Sequence, residues 1–171
     1  PKGSPAPFSM LRQLRFPLIT ALVTLSAGAA VLSPAVQAAP RCTFLKPIGG
    51  DGTTPIVSKR VSRGKLIGST NWNTDFIVDR SYDFYKFFFT ANSSDPGAKY
   101  PVSGFMKFTD GTSLKLFDEM MSPPVGTGKM FGPYRNVPDK QASQMNIKIG
   151  ASADPEALGF SYRISVQGCR Y

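Results

Sequence analysis

The single tryptophan, Trp72, lies in a polar stretch, Ser69-Thr70-Asn71-Trp72-Asn73-Thr74. A ring between two amides suits a sugar: the indole stacks on the pyranose while Asn71 and Asn73 offer donors and acceptors beside it. The same ring could instead fold back over the end of a β-sandwich. Upstream lies a run of cations. Between Arg41 and Lys65 there are six, Arg41, Lys46, Lys59, Arg60, Arg63 and Lys65, against Asp51 alone. Such a run attracts acidic polysaccharide, lipopolysaccharide phosphate or extracellular nucleic acid. The competing reading is an edge strand whose cations discourage sheet-to-sheet association. The candidate ligand-binding residues are therefore Trp72, Asn71, Asn73, Arg60, Arg63 and Lys65.

Other chemistries lack their parts. The chain has no histidine and two cysteines, so a His-activated nucleophile and a four-cysteine zinc site are both excluded. Pro123-Pro124-Val125-Gly126-Thr127-Gly128-Lys129 is shaped like a phosphate-binding loop. It has Pro123 where the first glycine belongs and Met130 where the magnesium-binding hydroxyl belongs, and so reads as a glycine-rich loop. Ser62-Arg63-Gly64-Lys65 has the S-x-x-K spacing of penicillin-recognising enzymes without their companion motifs. Gly49-Gly50-Asp51-Gly52 reads as a turn, since one carboxylate does not make a calcium loop. Asp118 and Glu119 are adjacent in sequence, which does not place two acids across a cleft. The sequence thus calls for no catalytic residue, no metal and no cofactor.

The segments around these residues indicate where the chain works. Met10 opens a basic stretch, Leu11-Arg12-Gln13-Leu14-Arg15, followed by apolar residues from Phe16 to Leu32. Small residues at Val36 and Ala38 then mark a cleavage point between Ala38 and Ala39. Residues 1–9 read as an upstream extension or cloning scar, 10–38 as a cleaved signal peptide and 39–171 as one domain. The alternative is a retained membrane anchor, because 17 apolar residues approach the length of a span. No later stretch is long enough to cross a bilayer. Residues 39–171 hold 17 of the 20 cations and all 11 acids, leaving +6. The expected location is secreted, periplasmic or extracellular, which removes intracellular nucleic acid as a partner. In such a compartment Cys42 and Cys169 are expected to pair. That bridge would clasp the first and last strands, with Cα atoms roughly 4.4–6.8 Å apart.

What positions these residues is expected to be β-structure. Helical periodicity is nearly absent, and short apolar or alternating runs are separated by turn chemistry. Strands are predicted at Asp75–Val78, Asp83–Ala91, Val102–Phe108, Leu114–Phe117, Ser143–Ala151 and from Phe160 to Val166. At Asp110-Gly111 a two-residue loop would mix both faces. A three-residue loop pairs Met106 with Leu114 and Lys107 with Ser113, keeping one face apolar with Gly111 left-handed. Ser113 to Met121 could alternatively end as a short helix. Ser122 to Pro138, rich in proline and glycine, reads as a long loop with at most a short strand near Met130 and Phe131. Asp154 to Gly159 has the cap, proline and glycine of one helical turn. Seven or eight strands in 133 residues predict an all-β, antiparallel sandwich of the immunoglobulin-like or jelly-roll-like kind.

Two segments carry a family resemblance. Gly159-Phe160-Ser161-Tyr162-Arg163-Ile164-Ser165-Val166-Gln167-Gly168 resembles the last strand of bacterial pre-peptidase C-terminal domains. Tyr82-Asp83-Phe84-Tyr85-Lys86-Phe87 is similar to an early strand of the same domains. The resemblance implies a small secreted sandwich. This chain departs from it in lacking an attached protease and the usual acidic calcium-binding residues. A chaperone–usher pilin offers a second comparison of the same architecture. The expected function is an exported, non-enzymatic module that binds carbohydrate or a polyanionic surface ligand. Alternatives are a structural subunit of an envelope or extracellular assembly, and a small carboxylate-based hydrolase.

Overall fold

The computed structural model describes residues 38–49, 53–61, 72–92, 99–122, 124–151 and 158–171. Of the sequence expectations, the signal segment, the Gly50–Gly52 turn, Ser62–Lys65, Asn71 and most of the Asp154–Gly159 turn lie outside these residues. So do the candidate ligands Arg63 and Lys65.

Among the described residues ten strands form two antiparallel sheets. They are β1 (Arg41–Phe44), β2 (Lys46–Pro47), β3 (Val57–Arg60), β4 (Asn73–Ile77), β5 (Phe84–Ala91), β6 (Tyr100–Phe108), β7 (Ser113–Met121), β8 (Gly128–Arg135), β9 (Ala142–Ile149) and β10 (Ser161–Arg170). Sheet A runs β1-β10-β5-β8, with β3 beside β1 on the same edge of β10. Sheet B runs β2-β4-β9-β6-β7. The long central strands β5 and β10 alternate buried with more exposed side chains. In β5, Tyr85, Phe87, Phe89 and Ala91 point into the core while Lys86, Phe88 and Thr90 are half-exposed. In β10, Tyr162, Ile164, Val166 and Gly168 point in, opposite Arg163, Ser165 and Gln167. No helix among the described residues is long and apolar enough to cross a membrane.

The pairing has a simple order. β6 pairs β7, β5 pairs β8, β4 pairs β9 and β3 pairs β10. The chain is thus one long hairpin, β3–β6 against β7–β10, rolled so that alternate pairs fall in opposite sheets. This is the jelly-roll form of the expected sandwich. β1 and β2 are additions, one on each sheet, joined through the buried Leu45. The strand count exceeds seven or eight because these short N-terminal strands carry little apolar pattern.

The two sheets enclose an aromatic core. Phe117 stacks on Phe131 at 4.1 Å, and Tyr100 stacks on Phe160 at 4.0 Å. Two glycines make room for rings. A Cβ on Gly168 would lie 2.5 Å from the Tyr82 ring, and one on Gly104 would lie 2.1 Å from Phe117. Such approaches demand glycine.

The ends of the chain are clasped as expected. Cys42 and Cys169 are bonded across directly opposed positions of β1 and β10. Their Cα atoms are 4.0 Å apart, just below the expected range. The hairpin also has the expected register, Met106 opposite Leu114 and Lys107 opposite Ser113, with Gly111 at φ +82. Two expectations are corrected. Ser113–Met121 is strand throughout rather than ending as a helix, because its ladder to β6 extends from Ser113 opposite Lys107 to Met121 opposite Tyr100, and Leu114, which the helical face would have buried, is exposed. The presumed loop Ser122–Pro138 contains the eight-residue β8, since Phe131 and Tyr134 supply rings to the core despite Gly132 and Pro133.

Candidate ligand-binding face

Residues opposed across a ladder share a face, so the register fixes which side of each sheet a residue occupies. On sheet A the outward positions begin with Arg60 beside Ser161. Next come Ser58, Arg163 and Thr90, then Ser165, Phe88 and Met130. Phe44, Gln167 and Lys86 follow, and the Cys42–Cys169 bridge lies beside Phe84 and Arg135. Four cations, Arg60, Lys86, Arg135 and Arg163, thus stand on this face, and no carboxylate occupies an outward strand position among the described residues. At strand spacings of roughly 3.3 Å per residue, they spread over about 25–30 Å. Arg163 is aimed by a 3.0 Å hydrogen bond from its Nε to Asn92 Oδ1. Lys86 lies 5.5 Å from the centre of the Phe84 ring.

Sheet B shows a different outer face. Its strands present Lys46, Lys107, Lys115 and Lys148 together with Asp75 and Asp118. Lys107 pairs with Asp75 at 2.7 Å, and Lys115 with Asp118 at 2.7 Å. Half of its lysines are thereby neutralised. Asp75 also accepts a hydrogen bond from the buried Asn146, so this acid is held in place. Among the described residues, the uncompensated strand charge therefore concentrates on sheet A.

Two further cations meet at the end of sheet A, on the opposite side of the ladder. Arg41 and Arg170 are directly opposed and exposed. Like charges placed so are mutually unfavourable. They line a recess of about 460 Å³ with Ala38, Ala39, Thr43 and Tyr171. The expected cleavage residues Ala38 and Ala39 are exposed there, ahead of β1.

The other candidates separate. Arg60 is exposed on sheet A, and Asn73 is exposed on sheet B opposite Lys148. Trp72 is half-buried at the head of β4, where its carbonyl accepts from the Ile149 amide at 3.1 Å. Between them stands Lys59, which points inward and donates to Asn73 O at 2.9 Å and to Thr74 Oγ1 at 2.7 Å. Burial lowers its pKa, partly opposed by the charge of Asp75. Lys59 is thus a strap between the sheets at one open edge. The Lys129–Glu119 ion pair joins β8 to β7 at the other. Sequence reasoning grouped Lys59 with Arg60, but alternation along β3 sends neighbours to opposite sides. It missed Lys86, Arg135 and Arg163, which are scattered in sequence and meet only through sheet pairing.

A hollow of about 420 Å³ lies between the 136–141 connection and residues Arg80, Ser81 and Tyr85. Its cations are already matched, Arg80 with Asp79 and Lys140 with Asp110. Burial raises the Tyr85 pKa, so its phenol stays protonated. This hollow offers less unpaired chemistry than the sheet A face.

No protein-family model and no curated protein matches the chain. Among solved structures it is similar to a chain described as the structure of infectious bursal disease virus Gt strain, at 14% identity and a TM-score of 0.34. The match covers 81% of this chain and 35% of that one.

Proposed function

We propose that this protein is an exported, non-enzymatic binding module for acidic polysaccharide or another polyanionic surface ligand, held on the outer face of sheet A. One observation carries the reading: among the described residues that face has four cations and no carboxylate at an outward strand position, against an opposite face whose lysines are half neutralised. The disulfide suits an oxidising compartment, and the segment before Ala39 has the pattern of an export signal. Arg60 belongs to the site, whereas Trp72 and Asn73 flank it across the Lys59 strap.

The test is binding of the oxidised protein to dextran sulfate, polygalacturonate and neutral dextran across a salt series. Four neutralised charges on a flexible polyanion give a slope of log K against log salt of about −3. Neutral dextran should bind no more tightly than background. Absence of binding to both polyanions at low salt ends the proposal. The structural-subunit alternative predicts assembly instead, and light scattering at high concentration reads it directly.

A further inference from the structure

The cations on sheet A surround hydrocarbon. Phe44 is 44% exposed, Ile56 45% and Met130 47%, with the half-exposed Phe88 among them. The Phe44 and Phe88 rings lie 6.5 Å apart, Met130 is paired with Phe88, and Ile56 shares with Phe88 a shallow depression of about 110 Å³. These four residues form a continuous stripe across the middle of the sheet. Arg60 and Arg163 stand on one side of it, Lys86 and Arg135 on the other.

A sugar chain and a lipid ask different things of such a stripe. Sugars stack on a flat ring, but Phe44 and Phe88 are inclined at 55° and give no common platform. Ile56 and Met130 have no ring at all. Hydrocarbon needs only apolar area. Long cationic side chains beside it can lay their stems on the apolar surface and keep their heads at phosphate level. Charge complementarity then selects an anionic headgroup.

We propose that the ligand of this face is an anionic phospholipid surface, with Phe44, Ile56, Phe88 and Met130 against the acyl boundary and the four cations on the phosphates. This rests on the polyanion reading above and adds a hydrocarbon requirement to it.

The experiment is flotation of the oxidised protein with vesicles of phosphatidylcholine alone, or with a third of it replaced by phosphatidylglycerol. The anionic vesicles should bind about 10²–10³-fold more tightly, from four cations near the charged surface. The double variant Phe44→Ser/Met130→Ser should weaken vesicle binding at least about tenfold, because both side chains lose apolar area that is nearly half exposed. Its binding to dextran sulfate should be unchanged. A second readout needs no variant: at 1 M salt some vesicle binding should survive while dextran sulfate binding is lost. Equal weakening on both ligands, or equal loss at high salt, overturns the lipid assignment. Binding to polygalacturonate without binding to vesicles does so too, yet leaves the polyanion reading standing. Binding to neither takes both down. Self-association abolished by the double variant would assign the stripe to a second copy and overturn the lipid.

Discussion

Replacing Cys42 and Cys169 together by alanine removes the clasp between β1 and β10. The bridge spans a sequence separation of 127. In the chain-entropy model a loop of that size contributes about 5 kcal/mol at 25 °C by limiting the unfolded ensemble. Little else replaces it. All four β1 residues are exposed, so the strand is held by the ladder to β10 and the Phe44–Phe88 contact. A domain of this size has a total stability of about 5–15 kcal/mol, so the variant should stand near the edge of folding. Urea unfolding followed by circular dichroism measures it. With a slope of about 2 kcal/mol per molar, the midpoint should fall by about 2.5 M. Dithiothreitol should move the wild type to the same midpoint. A fall worth less than about 1 kcal/mol, with the slope unchanged, would refute the reasoning and show that β1 pairing does not depend on the bridge.

Three further outcomes follow from single side chains. Gly168→Ala drives a Cβ into the Tyr82 ring and should cost about 1–3 kcal/mol in urea unfolding, since that ring is itself buried; a neutral result would place the ring elsewhere. Lys59→Met leaves Asn73 O and Thr74 Oγ1 without their donor and should cost about 1–2 kcal/mol, while dextran sulfate binding by isothermal calorimetry stays within twofold of wild type. Asp110 is held at a pKa of about 2, below its ordinary 3.8, first by the Thr112 hydroxyl and then by Lys140. Its depressed folded value means that its stabilisation is present above about pH 4 and is lost as pH falls towards 2. Asp110→Asn should flatten the stability profile in that window and leave it unchanged at pH 7 relative to pH 5; an unaltered acid limb would contradict the assignment.

The fold was legible where alternation was clean. Phe160, Tyr162, Ile164 and Val166 announce β10, and the apolar face of the Asp110-Gly111 hairpin sets its register before any coordinates. β8 was hidden because Gly128, Gly132 and Pro133 are turn residues by local preference, while Phe131 and Tyr134 earn their places only through distant partners, Phe117 and Phe87. β1 and β3 are four residues each and take their order from β10. The site was legible only in Arg60. Its companions Lys86, Arg135 and Arg163 lie on three other strands, and nothing in their local sequence marks them as neighbours. The Trp72–Asn73 pair looked like a sugar platform in sequence. In the fold the tryptophan is half-buried at the head of β4, and Asn73 is exposed on sheet B, away from Arg60 on sheet A.

The central claim is that ligand charge is read by the outer face of sheet A. The most direct measurement is the salt slope of dextran sulfate binding for the wild type, Arg60→Gln, Arg163→Gln and Lys107→Gln. Each arginine variant should lower the magnitude of the slope by about 0.7 from a wild-type value near 3. Lys107→Gln, on sheet B and already paired with Asp75, should leave it unchanged. Equal losses from Lys107→Gln and the arginine variants, or a slope that none of them alters, would contradict the account.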